Sequence, residues 1–170
     1  ASRTYTYTLT NGGGAQQARQ TAKDVKGVET VTWLDGHNRV VRVERRDADA
    51  LGGDPLAFRD TYKATYNNRG QLISDTVIDW EGAADKPLTR QYEYDAWGQQ
   101  FKVVGADGVA QITEVDPRTQ TLRSWTESTV TPLNISGKSR TTLNMFGKED
   151  KIEALDAQNK VVSTREYLYD

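Results

Sequence analysis

Residues 92–99 read YEYDAWGQ, and the reading of that octapeptide decides the fold. Tyr92 and Tyr94 flank Glu93 with the period of two that marks a half-buried strand. Asp95 and Gly98 then stand at the first and fourth positions of a chain reversal. An aspartate at the first position accepts a hydrogen bond from the backbone two residues on. A glycine three positions later takes the positive φ that lets the chain turn back. Beyond the reversal Phe101 and Val103 resume the alternation. The segment is therefore a hairpin, closed by a type I turn with a bulge glycine.

The same logic recurs along the chain, at LDGHNR (34–39), YNNRGQ (66–71), YDAWGQ (94–99), VDPRTQ (115–120), LNMFGK (143–148) and the terminal YD (169–170). The turn residues are Asp35, Asn67, Asp95, Asp116, Asn144 and Asp170, spaced by 32, 28, 21, 28 and 26 residues. Gly70, Gly98 and Gly147 fill the fourth position, and Asn38, the next best residue for a left-handed conformation, fills it in the first copy. Thr119 does not suit that conformation, so VDPRTQ is expected to turn differently, with Pro117 setting its first corner. Leu34, Tyr66, Tyr94, Val115, Leu143 and Tyr169 precede the turns and cap one face of each hairpin. Opposing turns are expected at GADG (105–108) and DAQN (156–159), with longer excursions at 47–55, 79–87 and 131–137. The stretch GGGAQQARQTAKD reads as a hairpin excursion in preference to a short helix. The expected fold is all-β: an antiparallel meander of about ten to twelve strands forming a twisted, elongated sheet, as one repeat array over 1–170.

Bulk properties agree with a thin, ordered sheet. The 170 residues are 36% hydrophobic with a mean hydropathy of -0.74, yet four Trp, eight Tyr and three Phe argue against disorder. Basic and acidic residues, 22 and 24, are interspersed for a net charge of -2, which leaves no electrostatic footprint for nucleic acid. Absent cysteines exclude disulfides and thiolate metal sites. No apolar run reaches the roughly 18 residues of a membrane span, and ASRTYTYTLT lacks the apolar centre of a signal peptide. Opening in a Thr/Tyr strand and closing on YLYD, the sequence reads as an excerpt of a longer chain.

The array YNNRGQ, YDAWGQ, LNMFGK and YLYD resembles the Rhs, or YD-repeat, family. The order TYNNRGQ, DW, QYEYDAWGQQ, GADGV, TEVDP, WTES, ISGK, TTLNMFGK is most similar to the C component of bacterial insecticidal toxin complexes. That resemblance implies a segment of a β-sheet shell that encloses a C-terminal toxic effector, in a secreted or cell-surface bacterial protein. Its implied partners are neighbouring YD repeats, the enclosed effector and other toxin-complex components. The family's self-cleaving aspartyl region has no counterpart here, so autoproteolysis is not implied for any residue. Unpaired edge strands add an expectation of self-association.

The residues able to carry chemistry also fit the architectural reading. His37 lies inside the LDGHNR turn, which already accounts for its neighbour Asp35. Asp47, Asp49 and Asp54 lack the further ligands and closing acid of a calcium loop. GGG at 12–14 lacks the Lys-Ser/Thr of a phosphate loop. No cofactor or metal is expected, and no nucleophile, base and oxyanion group stand at spacings that point to a hydrolase. The alternative function is a carbohydrate- or protein-binding module built on exposed aromatics. Trp97, at a turn position where burial is not guaranteed, is its candidate stacking residue.

Overall fold

The computed structural model describes residues 4–12, 15–46, 58–81, 84–130 and 134–169. Asp47, Asp49, Asp54 and Asp170 lie outside the described residues. Every regular element among them is a strand, and none is a helix long and apolar enough to cross a membrane. The strands are β1 (Thr4–Gly12), β2 (Ala15–Lys23), β3 (Glu29–Leu34), β4 (Val40–Arg46), β5 (Arg59–Tyr66), β6 (Leu72–Glu81) and β7 (Ala84–Tyr94). Then come β8 (Gln100–Val104), β9 (Val109–Asp116), β10 (Thr121–Ser128), β11 (Ile135–Leu143), β12 (Glu149–Leu155) and β13 (Val161–Glu166). Packing divides the chain into two units, Ala1–Thr89 and Arg90–Asp170. Within each, strands pair antiparallel in chain order with no crossover, the meander expected from the sequence.

One expected hairpin is borne out, and one expected excursion changes. AQQARQTAK forms β2, paired with β1 from Thr4↔Lys23 to Gly12↔Ala15, so the hairpin expected of this stretch is present and consists of two nine-residue strands. DWEGAADKP, expected as an excursion over 79–87, is largely strand, since β6 runs to Glu81 and β7 starts at Ala84. Among the described residues the strands number thirteen and reach eleven residues.

The core is thin. Val28, Val31 and Ala64 are the buried hydrophobic residues described in the first unit, and Ala110 and Ile112 those in the second. Val31, 1% exposed, shares a sheet face with Trp33, as the alternation in β3 requires. With so few buried apolar side chains, polar ladders take a large part in ordering the faces. In the first unit Arg42 bridges Glu44 and Asp60, and Lys63 joins Asp60 at 2.8 Å. In the second, the buried carboxylate Glu153 receives Arg140 at 2.6 Å and Lys151 at 2.7 Å. Those two cations hold its carboxyl below the ordinary range.

Candidate functional site

The turns repeat one hydrogen-bond pattern to within a few tenths of an ångström. In the turn of YDAWGQ, Asp95 N–H donates to the Gln99 carbonyl at 2.9 Å and Gly98 N–H to the Asp95 carbonyl at 3.1 Å. Asp95 Oδ1 accepts from Trp97 N–H at 2.9 Å and from Gln99 N–H at 2.8 Å. The sequence foresaw the bond two residues on. The second, four residues on, closes the turn from the other side. Asp35, Asn67 and Asn144 bind both amides in the same way. The left-handed fourth position is Asn38 (φ 63°), Gly70 (84°), Gly98 (89°) or Gly147 (74°). Each turn throws the register of its two strands by one residue, as at Glu93/Tyr94, which is the bulge expected of a three-residue loop.

VDPRTQ departs from the pattern as its sequence demands. Asp116 still accepts Arg118 N–H at 2.9 Å, and that amide lowers the pKa of its carboxyl. The loop between Asp116 and its partner Thr121 has four residues, so the left-handed position moves one place along, to Gln120 (φ 51°). Two further turns of the full pattern lie at the opposite strand ends. DAQN uses Asp156 and Asn159 (φ 66°) as expected of an opposing turn. DVKGV, which the sequence reading did not single out, uses Asp24 and Gly27 (φ 84°). Its Asp-x-x-Gly spacing was the available signal, without the apolar residue that precedes the other turns. GADG closes likewise from Gly105 to Val109, with Asp107 bound to Val109 N–H at 3.0 Å.

The residue before the turn has a longer reach than capping its own hairpin. Tyr66, before Asn67, places its ring 4.3 Å from the Arg39 guanidinium and donates its hydroxyl to the Val40 carbonyl at 3.0 Å. Arg39 and Val40 end the preceding turn, four and five places after Asp35. Tyr169, in the last copy of the motif, does the same to the turn of Asn144. Lys148 lies 4.9 Å from its ring, and its hydroxyl donates to the Glu149 carbonyl at 2.6 Å. In both cases a tyrosine fastens its repeat to the one before, through a cation at the fourth and a carbonyl at the fifth position past the turn residue. The first lock extends further. Asp35 Oδ2 accepts Arg39 Nε at 2.7 Å, and this contact, with the turn amides of Arg39 and His37, lowers the Asp35 pKa to about 2.

The remaining candidates fall into place around these turns. His37 is an exposed turn residue whose backbone N–H is bound by Asp35, on the rim of an open cleft of about 600 Å³ shared with Arg39 and Tyr66. Trp33 gives its indole N–H to Glu44 at 2.5 Å and packs under Arg19, and Trp125 gives its own to Glu127 at 3.2 Å. Trp97 is different: 80% of it is exposed, beside a cleft of about 380 Å³. Among the described residues no three His, Asp or Glu side chains converge as a metal ion would need.

No family model and no curated protein matches the chain. Solved structures similar to it include the crystal structure of TcdB2-TccC3-Cdc42, with 14% identity over 92% of this chain and a TM-score of 0.35. Another is TcdB2-TccC3 without its hypervariable C-terminal region, with 14% identity over 96% of this chain and a TM-score of 0.35. The chain spans 11% of the length of each of those solved chains. A likeness at that level assigns it neither a ligand nor an activity.

Proposed function

We propose that the chain is a non-enzymatic structural module, a strip of YD repeats forming part of a β-sheet wall around a C-terminal toxin effector of a secreted or cell-surface bacterial protein. The observation that carries this reading is the tyrosine lock made twice at the same offsets, by Tyr66 and by Tyr169. A wall built of hairpins needs each hairpin held to the next, because a lone hairpin cannot bury its own face. The residues that define the YD motif serve that need directly. The turn aspartates and asparagines spend Oδ1 on two backbone amides, and the tyrosine spends its hydroxyl on the neighbouring turn. The resemblance of the motif order to the Rhs family supplies the enclosed effector, the flanking repeats and the other toxin-complex components as partners.

Limited proteolysis of the full reading frame tests this. The segment C-terminal to the repeats should survive a protease dose that degrades the same segment expressed alone. Tyr66→Leu combined with Gly98→Val should shorten that survival. Equal cleavage of the enclosed and the free segment would refute the proposal.

A further inference from the structure

One cleft of the second unit has chemistry that a wall does not use. It lies beside the YDAWGQ turn and is lined by residues of β8, β9 and β10, among them Phe101, Glu114, Val115 and Arg123. Its volume of about 380 Å³ falls within the roughly 300–1,000 Å³ of small-molecule sites. Trp97 stands at the rim, and its indole N–H meets no protein acceptor among the described residues, whereas those of Trp33 and Trp125 are both bound. A large apolar ring held in the open by a rigid turn is a surface prepared for a flat partner.

The polar groups around it are equally unspent. Asp95 uses Oδ1 on the turn amides, which leaves Oδ2 without a protein donor among the described residues. Gln99 and Gln100 also line the cleft, and their side-chain amides have no protein partner among the described residues. Glu114 and Arg123 are direct cross-strand neighbours on β9 and β10, yet they form no ion pair. Elsewhere on the sheets such side chains are joined, as in Arg42–Asp60–Lys63 and Arg140–Glu153–Lys151.

We propose that this cleft binds an uncharged saccharide, one pyranose ring stacked on Trp97 and its hydroxyls bonded to Asp95, Gln99, Glu114 and Arg123. A sugar ring has one face of C–H bonds, weakly positive, which suits the negative face of an indole. Its hydroxyls both donate and accept, and the cleft offers carboxylates, amides and a guanidinium to meet them. Asp95, Glu114 and Asp116 outnumber Arg123, so sialylated, sulfated or phosphorylated ligands meet net repulsion. The same carboxylates would attract a lysine or arginine side chain, so what sets the saccharide ahead of a basic peptide is the donors of Gln99, Gln100 and Arg123, which a cation leaves unmet and sugar hydroxyls satisfy.

The 170-residue chain can be titrated with neutral hexasaccharides of glucose, mannose and N-acetylglucosamine and with neutral N-glycans released from glycoprotein. Sialylated and sulfated oligosaccharides and a lysine-rich peptide complete the panel, with isothermal titration and saturation-transfer NMR as readouts. Binding of a neutral member is expected, and the strongest arm identifies a polysaccharide or a glycoprotein source. Trp97→Ala should weaken it at least tenfold, Trp97→Phe should retain part of it, and Glu114→Gln should weaken it several-fold. Phe146→Ala is the control, since Phe146 holds the same turn position and is 79% exposed but lies outside the cleft; it should leave binding unchanged. An unchanged melting temperature for Trp97→Ala certifies the fold. The proposal is overturned if no neutral saccharide binds, if binding survives Trp97→Ala, or if the anionic ligands or the peptide bind in preference.

Discussion

Gly147→Ala isolates the conformational requirement of the turn from every packing effect. Gly147 has φ 74°, and a methyl group built there meets nothing within 4 Å. The cost is therefore that of holding an L-residue in the left-handed region, about 1–2 kcal/mol. Asparagine should cost less, because its short amide bonds locally in that conformation, and Asn38 and Asn159 already occupy the equivalent position at 63° and 66°. Valine should cost more than alanine, since a β-branched side chain is a poorer fit at positive φ. Gly70→Ala provides a second comparison. Its added carbon would sit 3.0 Å from Arg39 Nη1, so strain at φ 84° is joined by displacement of the guanidinium that links Asp35 to Tyr66. The expected order of cost is Gly147→Asn, then Gly147→Ala, then Gly147→Val and Gly70→Ala. A meander opens locally, so the assay is native-state hydrogen exchange of the β11 and β12 amides. A loss of 1–2 kcal/mol corresponds to exchange roughly 5- to 30-fold faster. Exchange unchanged in Gly147→Ala, or an asparagine as costly as the alanine, would refute the turn assignment.

Tyr66→Phe removes only the hydroxyl bond to Val40 and should cost about 0.5–1.5 kcal/mol in chemical denaturation. Tyr66→Leu also removes the ring under Arg39 and should lose roughly 0.5–1 kcal/mol more; equal values for the two variants would show that Arg39 contributes nothing. The folded pKa of Asp35, about 2, lies below its ordinary 3.8. Its stabilising contribution is therefore complete above an ordinary carboxyl pKa and is lost as pH falls through about 2. A carboxyl carbon NMR titration should find the low midpoint, and Asp35→Asn should flatten the pH dependence of stability in that window. Every residue of β13 is exposed, and β13 pairs with β12 alone among the described strands, so its edge is open to a further strand. Concentration-dependent association in analytical ultracentrifugation is expected, and Val162→Lys should weaken it by placing charge on the edge.

Local chemistry made much of the fold legible before any coordinates. An Asp or Asn bonded to amides two and four places on, and a glycine or asparagine three places on, are interactions within five residues. They act wherever the motif occurs, and Asp35, Asn67, Asp95 and Asn144 all obey them. The bulge these turns impose also sets the pairing of the flanking strands, so a chain-order meander follows from the turns without long-range information. The same locality explains the readings that changed. Thr119 was correctly excluded from the left-handed position, but a loop one residue longer, closing at Asp116↔Thr121, was needed to move it to Gln120. DVKGV carried the spacing without a preceding apolar residue, so it did not stand out.

The hairpin and its repetition thus follow from the sequence alone, because both rest on bonds between near neighbours in the chain. What the side chains between hairpins do is set instead by how the strands pack. Tyr66 reaches Val40 across 26 residues of sequence, and its partner is chosen by which turn the pairing of β4 with β5 brings alongside. The same holds for Trp97, whose place in a turn was plain from YDAWGQ. Its exposure, and the unspent groups of β9 and β10 gathered beside it, depend on the register between strands, which sets the neighbours of every side chain at once.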